Sequence, residues 1–231
     1  MRIGLHARDG VGLGEGVVGP VLLGRRLAKQ RRAERRHRLQ LHMPTPRALN
    51  AEQKKTLAEV NTYFNSVKTM HGDFIQFGPD GNQSDGKFYM ARPGKVRFYY
   101  NKPSVLDIVA DGKSVSVRDR KLNTQDIWPL GQTPLRFLLS DDIDLQKDTN
   151  VTNVLVEEDL ITVTILDKTK FNSGTLTLIF DAKDYALKQW TVTDQQGYDT
   201  SVAVYNVVSN GPTNPDLFKI DYLANARQKN N

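Results

Sequence analysis

GKFYMARPGKVRFYYNKPSVLDIVAD, residues 86–111, is the stretch that decides the fold. Arg92-Pro93-Gly94-Lys95 and Asn101-Lys102-Pro103 cut it into three apolar, aromatic-rich runs. Val, Phe and Tyr suit a pleated surface and Pro-Gly sets a turn, so residues 87–91 and 96–100 are expected as neighbouring strands. Residues 104–110 are expected as a third, ending at the turn signal Asp111-Gly112. Together they describe a meander in a curved antiparallel sheet. The runs carry more aromatic surface than a sheet with one wet face usually needs.

Working outward, the pattern repeats. Downstream, residues 114–118 and 122–128 are expected as strands, the second closed by Pro129. Thr133-Pro134 opens a short helix over 135–139, with Pro134 at the permitted first turn. Residues 140–148 form an acidic loop that lacks the spaced oxygen ligands and central Gly of an EF-hand, and it is expected to be solvated. Residues 154–158 and 160–166 are expected as a hairpin. Strands over 175–180, 187–193 and 200–208 follow, and a late strand holding Phe218 and Ile220. Upstream, Asn50 with Gln53 three residues later is a capping box. Leu57, Val60, Phe64 and Val67 recur at helical spacing, which predicts an amphipathic helix over 51–68 and then a strand over 72–77. Short strands at roughly 8–12-residue spacing indicate a barrel or sandwich.

The 231 residues suit one domain with a real core plus a tail. No cysteine is present, which excludes disulfides, thiolate chemistry and lipid attachment to the chain's own cysteine. The net charge of +6 is unevenly placed: residues 1–47 hold eleven Arg/Lys against three Asp/Glu, and the remainder is slightly acidic. The body has no nucleic-acid footprint. Residues 1–47 are read as a basic, disordered extension, 48–223 as the domain, and 224–231 as a polar tail. The apolar patch 17–23 is broken by Gly19 and Pro20 and precedes the arginines, so neither a membrane span nor a secretory leader is readable there.

Catalytic signatures are missing. His71 is the domain's one histidine and has no recognisable partner. No G-x-S-x-G, P-loop or H-E-x-x-H occurs. Asp111, Asp119, Asp126 and Asp194 are read as strand-end carboxylates that bond local backbone. No enzyme, metal or cofactor is expected. What remains is a β shell, two helices and many large apolar side chains. Residue by residue, this leaves a packed interior and a ligand cavity equally open.

Gly72-Asp73-Phe74-Ile75-Gln76, the run from Gly86 to Tyr100 with its R-P-G-x-x-R-F element, Pro103, and Ile108-Val109-Ala110-Asp111-Gly112-Lys113 together resemble the outer-membrane lipoprotein carrier protein (LolA) family. Thr133-Pro134-Leu135 before Phe137-Leu138-Leu139 resembles its short lid helix, and Asp194, Gly197 and Thr200 fit its late strand pair. The resemblance covers about residues 48–223. It implies a mainly β fold: an incomplete antiparallel barrel (half-barrel) with an N-terminal amphipathic helix and a helical lid. It implies a periplasmic, monomeric chaperone that shields the acyl chains of lipoproteins in an apolar cavity. Its implied partners are the inner-membrane lipoprotein-releasing ABC transporter and the outer-membrane receptor. By match, Arg92 is the residue that latches the lid, and Val96 and Phe98 face the cavity. Alternation adds Phe74, Phe88, Met90, Tyr100, Leu138 and Leu139. Val96 is smaller than the family's usual residue there. The alternative reading is a protein-binding envelope sensor or adaptor domain on the same half-barrel.

Overall fold

The computed structural model describes residues 49–147, 150–169 and 172–224, with the side chains of 167–173 left aside. The expectations for 1–47 and for 225–231 fall outside the described residues. Helix α1 spans Ala51–Ser66 and opens on the capping box: Asn50 Oδ1 accepts from the Gln53 amide at 2.8 Å and Gln53 Oε1 from the Asn50 amide at 3.0 Å. Two orphan helix donors are thereby satisfied. Strands follow at β1 Thr69–Phe77, β2 Gln83–Ala91, β3 Lys95–Tyr100, β4 Leu106–Asp111, β5 Ser114–Asp119 and β6 Thr124–Pro129. A 3-10 turn, Leu130–Gln132, leads into the five-residue helix α2, Leu135–Leu139. The second run is β7 Val151–Val156, β8 Leu160–Thr169, β9 Asn172–Asp181, β10 Leu187–Thr193 and β11 Asp199–Ser209.

All eleven strands form one antiparallel sheet in the order β6-β5-β4-β3-β2-β1-β11-β10-β9-β8-β7. Two meanders are thus joined by the pairing of β1 with β11, and β6 and β7 are left as free edges. A sandwich is excluded, and the open half-barrel holds. The sheet curls strongly. β3 and β10 are four strand steps apart, about 19 Å in a flat sheet, yet the Phe98 and Trp190 ring centroids lie 6.2 Å apart. The topology also places α2. Residues 130–150 link one free edge to the other, so they must cross the open side of the curl, and α2 lies in that crossing.

Strand residues alternate as a half-buried sheet requires. Val96, Phe98 and Tyr100 face inward, and Tyr99 faces out. Helix α1 packs on the concave face through Leu57, Val60 and Phe64, all fully buried, and Phe64 meets Phe180 of β9 edge-on at 5.8 Å.

Some boundaries differ from the sequence reading. α1 stops at Ser66 because Val67 is already extended and β1 begins at Thr69. β2 starts at polar Gln83, carried by ladder pairing with Phe77 through Ser84 with Gln76. Asp126 sits within β6 opposite Val117 and not at a strand end. The expected late strand is a 3-10 turn, Pro215–Phe218: Asn214 Oδ1 caps the Asp216 amide at 3.0 Å, and Pro215 cannot donate to a ladder.

Candidate functional site

The two sequence signatures, R-P-G and D-G-K, are one structural feature. Gly94 in the β2–β3 turn has φ +78°, and a Cβ there would lie 2.6 Å from Gly112 Cα in the β4–β5 turn. Only glycine allows the two turns to touch at this backbone conformation. The touching turns form a shelf that holds α2. The Gly94 amide donates to Leu139 O at 2.7 Å, and the Leu130 amide donates to Lys113 O at 2.8 Å. A five-residue helix has no stability of its own. Burial of Leu138 and Leu139, 1 % and 2 % exposed, contributes about 2 kcal/mol each by the usual scale for a leucine.

Arg92 completes the arrangement. Its Nε donates to Leu138 O of α2 at 3.2 Å, and its Nη1 donates to Phe64 O at the end of α1. Its guanidinium carbon lies 3.9 Å from the Phe64 ring centroid, and its backbone amide donates to Lys68 O at 2.8 Å. One side chain therefore ties the C-terminal carbonyls of both helices to the rim of the sheet. These carbonyls are the orphan acceptors of helix ends, and a cation also suits the negative end of a helix. Burial lowers the Arg92 pKa to about 10, against a smaller upward pull from Asp141, so the group stays charged at neutral pH. Nη2 is buried and has no hydrogen-bond partner among the described residues, so the tie is incomplete there.

Further bonds join α1 to the crossing segment. Asn65 exchanges two hydrogen bonds with Ile143, both 2.9 Å, and Asn61 Oδ1 accepts from the Leu145 amide at 3.1 Å. The acidic loop therefore serves to dock the crossing onto α1.

Phe74, Phe88, Met90, Val96, Phe98, Tyr100, Leu138 and Leu139 all lie in one apolar cluster on the concave side, 0–6 % exposed. Phe74 is met edge-on by Phe98 at 5.2 Å and by Tyr100 at 5.0 Å. Gly86 makes room for this, because a Cβ there would sit 3.0 Å from the Phe74 ring and closer still to Tyr99 O. The Tyr100 hydroxyl donates to Gln76 Oε1 at 2.7 Å, and burial pushes its pKa upward.

The sequence reading drew its interior residues from β1–β3 and α2 alone. The other half of the interior is aliphatic: Val163, Ile165, Leu176 and Leu178 are at most 1 % exposed, with Phe180 and Trp190 beside them. The period of two in 176–180 carried the signal for that wall. His71 stays away from the interior and stacks with Tyr89 at 6.1 Å. Asp111, Asp119 and Asp194 accept from backbone amides two to four residues onward, as turn carboxylates do. Among the described residues no group of three or more His, Asp or Glu could hold a metal, and no helix is long and apolar enough to cross a membrane.

The model of the family described as outer membrane lipoprotein carrier protein LolA matches residues 65–221. An outer-membrane lipoprotein carrier protein of Leptothrix cholodnii is 32% identical over 157 residues, covering 64% of this chain and 72% of its own. One of Methylobacillus flagellatus is 30% identical over 152 residues, covering 62% of this chain and 73% of its own. A solved LolA superfamily protein of Nitrosomonas europaea overlaps 72% of this chain and 99% of its own, at 8% identity and a TM-score of 0.40. The family match spans the sheet from β1 to β11, Arg92 and α2, and the chain belongs to the outer membrane lipoprotein carrier protein LolA family.

Proposed function

We propose that the protein is a non-catalytic periplasmic carrier that takes the acyl chains of lipoproteins into its concave interior. It receives them from an inner-membrane ABC transporter and passes them to an outer-membrane receptor, acting as a monomer. The observation that carries this reading is the Arg92 tie: a short helix is held over an apolar interior by a few hydrogen bonds at one rim. Family membership sets the cargo class.

The physical demand on such a carrier has two sides. Each acyl CH₂ removed from water contributes about 0.8 kcal/mol, so the chains need cover during transit. Release must still be possible, so the cover cannot be permanent. In the state described here the interior side chains are almost completely closed off from solvent. Loading then means that α2 lifts from the shelf and acyl chains replace Leu138 and Leu139 against the aromatic and aliphatic walls. Met90 contributes a flexible thioether to a surface that has to accept chains of varied length. The missing Nη2 partner weakens the hold of Arg92, which favours opening. Residues 48–223 form the carrier domain in this reading.

The test is binding of an apolar fluorescent probe to the full chain and its displacement by a triacylated lipopeptide. Displacement is expected at micromolar peptide, while the same peptide without acyl chains leaves the probe in place. Failure to bind either ligand would remove the carrier role.

A further inference from the structure

The end of the concave face farthest from Arg92 is built differently. β3 runs from the Lys95 rim to Tyr100, a span of about 17 Å. Beyond Tyr100, the β1–β2 turn and the β3–β4 loop enclose a half-open hollow of about 310 Å³. Its floor is Gln76, only 7 % exposed, on the same inward face as Phe74. The Tyr100 hydroxyl donates to the Gln76 carbonyl oxygen at 2.7 Å, which leaves the amide nitrogen of this lining residue without a hydrogen-bond partner among the described residues. Leu106 lines the hollow and also packs against the core cluster. The hollow is therefore a polar antechamber, separated from the apolar interior by the Gln76–Tyr100 pair.

Its chemistry selects a ligand. Asn101 and Ser104 add amide and hydroxyl groups to the wall. Two carboxylates, Asp80 and Asp85, line it, and none of the lining residues is Lys, Arg or His. The nearby Arg120 guanidinium is engaged by the Tyr100, Ser104 and Val105 carbonyls, so an anionic group such as a phosphate would meet two carboxylates and no lining cation. A neutral, acceptor-rich group would find a nearly buried donor in Gln76. The volume sits at the lower limit of small-ligand sites, about 300 Å³, too little for several long chains but enough for the group that joins them.

We propose that this hollow seats the neutral ester and amide linkages of the acylated, glyceryl-modified cysteine. Gln76 Nε2 donates to one of their carbonyl oxygens, and the acyl chains run past Tyr100 into the interior. The inference rests on the carrier reading and adds the position and polarity of the cargo's head. Tyr100 fixes the Gln76 side chain through its carbonyl oxygen, so the amide is held ready for the cargo while the chains enter under α2 at the Arg92 rim.

The experiment compares two ligands on the full-length protein: a tripalmitoyl-S-glyceryl-cysteinyl peptide, and diphenylhexatriene, an apolar dye without hydrogen-bonding groups. Gln76→Leu is expected to weaken the lipopeptide about fivefold relative to the dye, the scale of one neutral hydrogen bond. Ser104→Trp, which fills the hollow from its rim without entering the core, is expected to shift the same ratio in the same direction even if Gln76→Leu folds poorly. If wild-type protein binds both ligands and Ser104→Trp leaves the ratio within twofold, the head-group assignment is overturned and the carrier role stands. If wild-type protein binds neither ligand, the carrier reading fails and this inference fails with it.

Discussion

The two ends of the concave face hold the fold together in opposite ways. At one end a charged guanidinium, dry and 8 % exposed, binds the carbonyl ends of two helices. At the other a neutral phenol and amide bind each other beside a half-open hollow. Both pairings are short-range and polar, and both border the same apolar cluster. The difference lies in what each can release. The Arg92 end secures a separate element, α2, which has little stability without it. The Gln76 end secures strands already fixed by ladder pairing. Opening is therefore expected at the Arg92 end, and recognition of polar groups at the Gln76 end.

The middle of the interior sets the scale against which both ends are compared. Phe98 contacts Phe74, Phe88 and Trp190, bridging the two halves of the curled sheet. Phe98→Ala is expected to cost about 3–5 kcal/mol in chemical denaturation, the usual loss for a large buried aromatic. A loss below about 1 kcal/mol would mean that the halves do not depend on this ring contact.

Arg92→Leu breaks the comparison at its charged end. Hydrogen bonds to charged groups are worth about 1.5–3 kcal/mol, so amide exchange in residues 135–139 and at Gly94 should accelerate by tenfold or more. The strands β8–β10 should keep their protection, because their ladders do not involve Arg92. Equal acceleration throughout would make Arg92 a general stabiliser and not a latch. Arg92→Lys keeps the charge but loses the planar fork, and is expected to fall between the two.

Tyr100→Phe tests the neutral end. It leaves the Gln76 oxygen without its donor and is expected to cost about 1–2 kcal/mol, measured by urea denaturation. Exchange in 135–139 should remain at the wild-type rate. Faster exchange there would show that the two ends are coupled.

The smallest effect concerns pH. Arg92 has a lowered folded pKa of about 10, so its protonation differs between folded and unfolded states only above that value. In that window the unfolded chain binds more protons, and stability from this group rises with pH; below it the contribution is constant. Exchange rates of 135–139, corrected for intrinsic chemistry, should therefore be flat between about pH 6 and pH 8. A step in that range would place another titrating group in the latch.

Much of this was readable in advance, for identifiable reasons. The capping box, the period of two and the Pro-Gly turns are local signals, and α1, β3, β5 and α2 lie where those signals put them. Arg92, Val96 and Phe98 were singled out by the family resemblance of their motif, and all three are buried. What escaped depends on distant pairing. Gln83 to Asp85 looks like loop because it is polar, but β1 recruits it into β2. Ile220 looks like strand by composition, but Pro215 and the Asn214 cap turn the chain just before it. The aliphatic wall of β8 and β9 shares the interior only because the two meanders join through β1 and β11, a pairing that no local pattern encodes. Gln76 drew no notice beyond its motif, since its partner Tyr100 is two strands away.

On the proposed function, the apolar interior opens at the Arg92 rim to take acyl chains. Hydrogen exchange of the full chain with saturating triacylated lipopeptide tests it most directly. Gly94 and residues 135–139 should exchange faster in the complex, while β2, β3 and β9 gain or keep protection. A complex in which the lipopeptide is bound and the 135–139 amides exchange as slowly as in the free protein would contradict it.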